Sequence, residues 1–338
     1  MNHSDTAWPG GVISLLMRWA VGILLLLAAV RILFIVIDKL QPPEDTLLWD
    51  AFFDAGHAAL FGLLSIVILV ASMLLLPRSW PQRRHYLLAF AVAVGLGIFT
   101  EALQVYGPRS ADIGDILLNV LGTVAFLLFA ATLDRRMTRR FERVGSRARP
   151  FFRVIAVLIL CAAYLHFILL GVAYIQRAEA FPVICDFQSS WEGYFVDTNR
   201  VTVSIRELPE EWAKNPKERL AYATFTPRRR YPWLGVLEPY PDWSGYDRLV
   251  FTLYSTADAP VEFGLRVDDY GENQRRTDRY DGRILVQPGI NRIEIPLSEI
   301  REGPSSRTLD MKRIRRMIFY ANRPSSPVSI FIDGFRLE

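Results

Sequence analysis

FTEALQVYGPRSADIGDILLNVLG, residues 99–122, joins two long apolar stretches through a short turn and carries Glu101, Gln104, Arg109, Asp112, Asp115 and Asn119. An ionisable side chain at bilayer depth costs from about 3 kcal/mol upward, so such residues face a bundle interior or a wet cavity and mark function. Working outward, 51% of the 338 residues are hydrophobic and the mean hydropathy is +0.19, too apolar for an ordinary soluble chain. The apolar residues concentrate before Ile175 in five runs near the roughly 20 residues a helix needs to cross the hydrocarbon core. They predict a cytoplasmic N-terminus over 1–18, membrane spans at 19–37, 57–76, 86–104 and 113–133, an Arg-rich cytoplasmic loop over 134–151, and a fifth span at 152–175. The first run is too long for the apolar region of a secretory signal and is expected to stay uncleaved.

Loop charge sets the orientation. Arg78, Arg83 and Arg84 follow the second span, and seven arginines from Arg135 to Arg149 follow the fourth. The loop after the first span instead holds Asp38, Glu44, Asp45, Asp50 and Asp54 against Lys39. The positive-inside rule then predicts a multi-pass protein of a cytoplasmic membrane, N-terminus inside and C-terminal region exported. These arginines explain the formal net charge of +4 without a nucleic-acid partner. Cys161, within the fifth span, and Cys185 lie too far apart to pair and support neither a disulfide framework nor a metal site.

After Ile175 short β-rich runs alternate with turn signals, which predicts an all-β antiparallel sandwich over 183–338. In VEFGLRVDD, residues 261–269, Val261, Phe263, Leu265 and Val267 share one face while Glu262, Arg266 and Asp268 share the other.

On a helix Asp112, Asp115 and Asn119 fall on one stripe, Glu101 and Gln104 on another, and Asp54 with His57 reach the same depth at the start of the second span. The expectation is a polar chamber formed by these residues and Arg109. Glu101, Asp112, Asp115 and His57 are candidates for general acid/base work or for binding a divalent cation, and Arg109 for gripping a phosphate or carboxylate. The alternative is purely structural pairing between neighbouring helices.

The set Asp54, Gly56, His57, then Glu101 with Gln104, Arg109, Asp112, Asp115, Asn119 and Gly122 resembles the VanZ-like family over residues 20–133. The resemblance departs at Ala55, where the family carries a lysine. It implies a membrane protein connected with glycopeptide resistance and brings no agreed reaction.

The segments 242–255, 287–300 and 309–337 resemble galactose-binding-like jelly rolls, including carbohydrate-binding modules. That resemblance implies a glycan ligand, with a structural Ca2+ whose test positions are Asp186 and Asp333. Aromatic platforms with polar anchors would then be sought at Trp233 and Tyr280 with Arg266, Asp268 and Asp269, whereas Trp243 and Tyr246 are expected to lock the core. The combined reading is a membrane protein that binds or handles cell-envelope glycans or their lipid-linked precursors. An enzyme transferring or hydrolysing a group on a lipid-linked sugar or phosphate, and a membrane-anchored assembly module, are the alternatives.

Overall fold

The computed structural model describes residues 10–39, 42–104, 112–145, 147–213, 215, 217–227 and 231–338. They fall into two compact units, Met1–Leu169 and Leu170–Glu338. The first is helical: α1 (Gly10–Lys39), α2 (Leu47–Leu75), α3 (Gln82–Gln104), α4 (Ile113–Leu133), the short α5 (Arg135–Val144), and the start of α6 (Ala148–Ala180). Five of these helices are long and apolar enough to cross a membrane. Leu24, Leu63, Leu87, Leu117 and Leu158 expose more than half of their surface, as side chains facing lipid do.

Helix α2 begins at Leu47, ten residues before the start read from hydropathy. The cause is local: the Thr46 hydroxyl caps the helix by accepting from Trp49 N at 3.3 Å, and Asp50 lies in the first turn where the helix dipole favours an anion. Asp54 and His57 therefore sit within the helix rather than opening it. The segment after α4, read as a loop, forms α5, whose arginines lie among few apolar residues. Further along the chain, Arg149 Nε and Arg153 Nε donate to the carbonyl and hydroxyl of Thr132 at 2.8 and 3.1 Å.

Small residues set the spacing of this bundle. A Cβ at Gly122 on α4 would run into the Ala58 backbone carbonyl of α2, and one at Gly62 on α2 would enter the Phe126 ring. Backbones this close gain dispersion contact that lipid cannot replace. The approach also brings the polar N-terminal turns of α4 alongside α2.

The second unit is a jelly-roll-type sandwich of two antiparallel sheets. Its strands are β1 (Val183–Cys185), β2 (Val196–Asn199), β3 (Val201–Glu207), β4 (Arg219–Phe225), β5 (Trp233–Leu237), β6 (Arg248–Ser255), β7 (Val261–Asp269), β8 (Tyr280–Val286), β9 (Gly289–Pro296), β10 (Ile314–Ala321) and β11 (Val328–Leu337), with a short helix α7 (Leu297–Glu302). One sheet runs β3-β4-β11-β6-β9 with β1 paired to β11; the other runs β2-β5-β10-β7-β8. Their inner faces interdigitate around Phe225, Phe251, Phe263, Phe319 and Phe335, with the Phe263 and Phe319 rings stacked at 4.8 Å. Trp243 is wholly buried and donates from Nε1 to the Tyr240 carbonyl at 2.8 Å, as its turn motif predicts. Cys185 is buried as well, and burial pushes its thiol well above the usual range; Cys161 and Cys185 are both free.

Gly122→Ala is expected to lower the stability of the detergent-purified protein by roughly 1–3 kcal/mol, because the α2 backbone cannot yield to a methyl group. Gly95→Ala, where an added Cβ meets nothing within 4 Å, serves as the control. The midpoint of thermal unfolding reads both, and equal midpoints would refute the packing argument.

Candidate functional site

Three helices bring charge together in the first unit. His57 on α2 places Nδ1 3.2 Å from Asn119 Oδ1 and Nε2 3.7 Å from Asp115 Oδ2, both on α4. Glu101 on α3 is only 2% exposed, and among the described residues neither of its carboxylate oxygens has a hydrogen-bond partner. His57, Glu101 and Asp115 each offer a ligand atom within 4.8 Å of the other two. The His57 ring also stacks on Phe61, with centroids 6.4 Å apart and planes 6° apart, which fixes its orientation. Gly97 on α3 lets Asn119 close in, since a Cβ there would lie 3.0 Å from Asn119 Nδ2.

Not every residue of the expected chamber joins this cluster. Asp112 is the exposed N-cap of α4 and accepts from Gly114 N at 2.8 Å, because the first turn of a helix leaves N–H groups that a carboxylate satisfies. Asp54 is exposed. Arg109 and the Gln104 side chain lie outside the described residues.

A second candidate site lies on the outer face of the β2-β5-β10-β7-β8 sheet, where a cavity of about 690 Å³ opens. Its aromatic wall is Tyr231, Trp233 and Tyr320, and five arginines, Arg266, Arg276, Arg279, Arg283 and Arg323, face two carboxylates, Glu262 and Asp281. Strand register explains the assembly: Tyr320 on β10 pairs with Trp233 on one side and Gly264 on the other, and Arg266 on β7 pairs with Asp281 on β8. Gly264 has a purpose here, since any Cβ would overlap the Tyr320 ring, which therefore lies over bare backbone. Tyr320 donates its hydroxyl to Asp281; burial and that bond push the phenol pKa up. Asn322 Nδ2 donates to Glu262, and the Arg323 guanidinium sits 5.4 Å from the Tyr231 ring centre.

Of the residues proposed from sequence, Trp233 and Arg266 line this cavity. Asp268, 1% exposed, lies behind it, bound to Arg266 Nε at 2.7 Å and to Arg316 Nη2 at 2.6 Å, so it orients an arginine instead of meeting solvent. Asp269 and Tyr280 do not line the cavity. Alternation turns Asp269 to the opposite face from Asp268, where both Arg307 Nη atoms hold it at 2.6 Å and Asp310 N donates at 2.7 Å. Tyr280 is buried and donates to Glu299 at 2.8 Å. Sequence reading missed Tyr231, Tyr320, Asp281 and Arg283; for the last three the alternation in β8 and β10 was the available signal, whereas Tyr231 precedes β5. Asp186 accepts from Gln188 N at 2.9 Å and packs near Gly334, while Asp333 lies on β11 opposite Thr252.

Burial pushes the Asp269 carboxyl up, but the Arg307 guanidinium and the Asp310 N–H prevail and hold it below its usual range; Arg307 and Asn273 N lower Asp278 similarly. Depressed carboxylates contribute stability that is present above their unfolded pKa, about 3.9, and lost as pH falls through the folded value. Arg307→Gln is therefore expected to lower the denaturant midpoint at pH 7 and to flatten its loss below about pH 4, followed by tryptophan fluorescence. A variant whose midpoint falls in parallel with wild type throughout the acid range would contradict this.

Residues 17–134 match the family model described as VanZ/LLP1. Among curated proteins none matches the chain in sequence. The second unit is similar to a family 11 carbohydrate-binding module from Clostridium thermocellum, solved with a β-1,3-1,4-mixed-linked tetrasaccharide: 19% identity, 46% of this chain and 93% of that one, TM-score 0.34. It is also similar to a family 30 carbohydrate-binding module of a cellulosomal cellulase of the same organism, at 12% identity over 43% of this chain and 90% of that one, TM-score 0.30. An exo-β-agarase shares 17% identity over 46% of this chain, which spans only 24% of the agarase, TM-score 0.37.

Proposed function

We propose that this membrane protein binds acidic glycans of the cell envelope, or their lipid-linked precursors, through the cavity of its sandwich. The observation that carries the reading is the pairing of aromatic faces with a surplus of arginine in one cavity, Tyr231, Trp233 and Tyr320 beside five guanidinium groups and two carboxylates. Sugar rings present C–H faces that stack on aromatic planes, and arginine forks match carboxylate, sulfate or phosphate substituents in bidentate geometry. Arg266 and Arg276 are committed to Asp268 and Asp281 at 2.7 and 3.1 Å, whereas Arg283 stands 3.9 Å from Glu262, is largely exposed and is available to a ligand. A neutral glycan would leave that surplus unused.

The orientation belongs to the same proposal. The arginines of residues 78–84 and 135–149 favour a cytoplasmic N-terminus and an exported sandwich. In a bacterial cytoplasmic membrane that exposes the cavity to the compartment where envelope polymers are assembled, which makes polysaccharide biosynthesis or resistance to glycopeptide antibiotics the setting. The match of residues 17–134 to a VanZ/LLP1 model supports a membrane role there.

Binding by the full-length protein in detergent to an array of neutral and uronate-, sulfate- or phosphate-bearing glycans tests this. The acidic members are expected to bind, Trp233→Ala and Arg283→Ala each to weaken binding about tenfold, and added salt to weaken it further. Preference for neutral glycans, or indifference to both substitutions, would overturn the assignment.

A further inference from the structure

We infer that His57, Glu101 and Asp115 form a binding site for one divalent first-row metal ion, a cation site in the helical unit that is separate from the glycan cavity. This goes beyond the glycan reading and stands or falls without it.

The argument begins with Glu101. Its carboxylate is 2% exposed inside an apolar bundle, and among the described residues both oxygens are buried without a hydrogen-bond donor. A carboxylate in that state carries a desolvation penalty of several kcal/mol unless a cation or donor offsets it. Asp115, a second carboxylate, has an oxygen in the same cluster. A second anion brought close in a poorly solvated site raises that penalty on Glu101, and a positive ion between the two relieves it.

His57 supplies the second observation. When its Nδ1 donates to Asn119 Oδ1, 3.2 Å away, Nε2 is left with the lone pair. That lone pair points toward Asp115 Oδ2 at 3.7 Å, too far for a direct hydrogen bond. Two electron-rich atoms facing each other across such a gap are stabilised by an electrophile within it. Imidazole held through its other nitrogen by a side-chain oxygen is the usual arrangement of a metal-binding histidine, because the bond fixes both tautomer and ring plane. Stacking on Phe61 adds to that fixation.

The donor set selects the ion. One imidazole nitrogen and two carboxylate oxygens suit Mn2+ or Zn2+, with metal–ligand distances of about 2.0–2.2 Å. The three ligand atoms already lie within 4.8 Å of one another, so a small side-chain adjustment completes coordination. His57 and Asp115 remain partly exposed, with side chains 18% and 16% accessible, which provides a path for the ion and room for water or an anionic ligand in the remaining positions.

The test uses the full-length protein in detergent, stripped with chelator and titrated separately with Mn2+ and Zn2+. Elemental analysis is expected to find about one ion per chain, with affinity lowered at least tenfold in Glu101→Gln, Asp115→Asn and His57→Ala. Asp50→Asn, on an exposed turn of α2, should bind as wild type does. Should a variant aggregate, pulsed electron paramagnetic resonance on Mn2+-loaded wild type decides alone, and a histidine nitrogen coupling is expected. Failure of wild type to take up either ion, unaltered uptake in the three variants, or Mn2+ lacking nitrogen coupling would each overturn the site.

Discussion

The close passage of α2 against α4 at Ala58 and Gly122 is the constraint on which the helical unit depends. No side chain larger than hydrogen fits at Gly122, so the two backbones meet there, and the residues one turn nearer the N-terminus of α4 are forced into register with α2. His57 precedes Ala58 and Asn119 precedes Gly122 by one helical turn, so the glycine contact and the histidine–asparagine bond are two consequences of one geometry. Helix α3 then closes the third side with Gly97 against Asn119, delivering Glu101 to the same depth. In a membrane no hydrophobic force drives helices together, and small-residue contacts of this kind set the spacing that a polar cluster needs.

The sandwich solves a different problem. Its inner sheet faces are filled by aromatic rings, which leaves the outer face of the β2-β5-β10-β7-β8 sheet free to carry polar side chains. Period-two alternation sorts them: Val261, Phe263, Leu265 and Val267 go inward, while Glu262, Arg266 and Asp268 go outward. Buried carboxylates such as Asp268 and Asp269 serve as fixed counter-charges that hold arginines in place on either face. Arg266, which lines the cavity, is thus held before any ligand arrives, which reduces the ordering entropy that binding must overcome.

The sequence made some of this legible and hid the rest for physical reasons. Glu101, Asp115 and His57 could be found because charge within apolar runs is expensive, and helical spacing placed them on facing stripes. Asp112 stands one residue before the span read as 113–133, so its place on the helical stripe gave way to capping; the start of α2 was hidden, because the Thr46 cap sets it and hydropathy does not report caps. In the sandwich the alternation in VEFGLRVDD placed Arg266 on an outer face, yet the aromatic wall depends on cross-strand register. Tyr320 meets Trp233 and Gly264 only through the pairing of β10 with β5 and β7, and no local pattern announces those partners. Choosing Asp269 as an anchor treated two adjacent aspartates as equivalent, though neighbouring strand residues face opposite sides.

The two sites obey one electrostatic rule with opposite signs. In the cluster of the helical unit two carboxylates meet one histidine, and the unpaired Glu101 oxygens mark where positive charge is missing. In the sandwich cavity guanidinium groups outnumber carboxylates, and Arg279 marks the reverse: its Nε is buried without a partner among the described residues, and burial followed by repulsion from Arg266 lowers its pKa. Folding tolerates each imbalance only because other contacts exceed it, since an unpaired buried charge opposes stability. Glutamine for Glu101 or an apolar residue for Arg279 would relieve the penalty at no loss of packing volume. Retaining charge at both places makes sense when the balancing group arrives from outside the chain, a cation in one unit and an anion in the other.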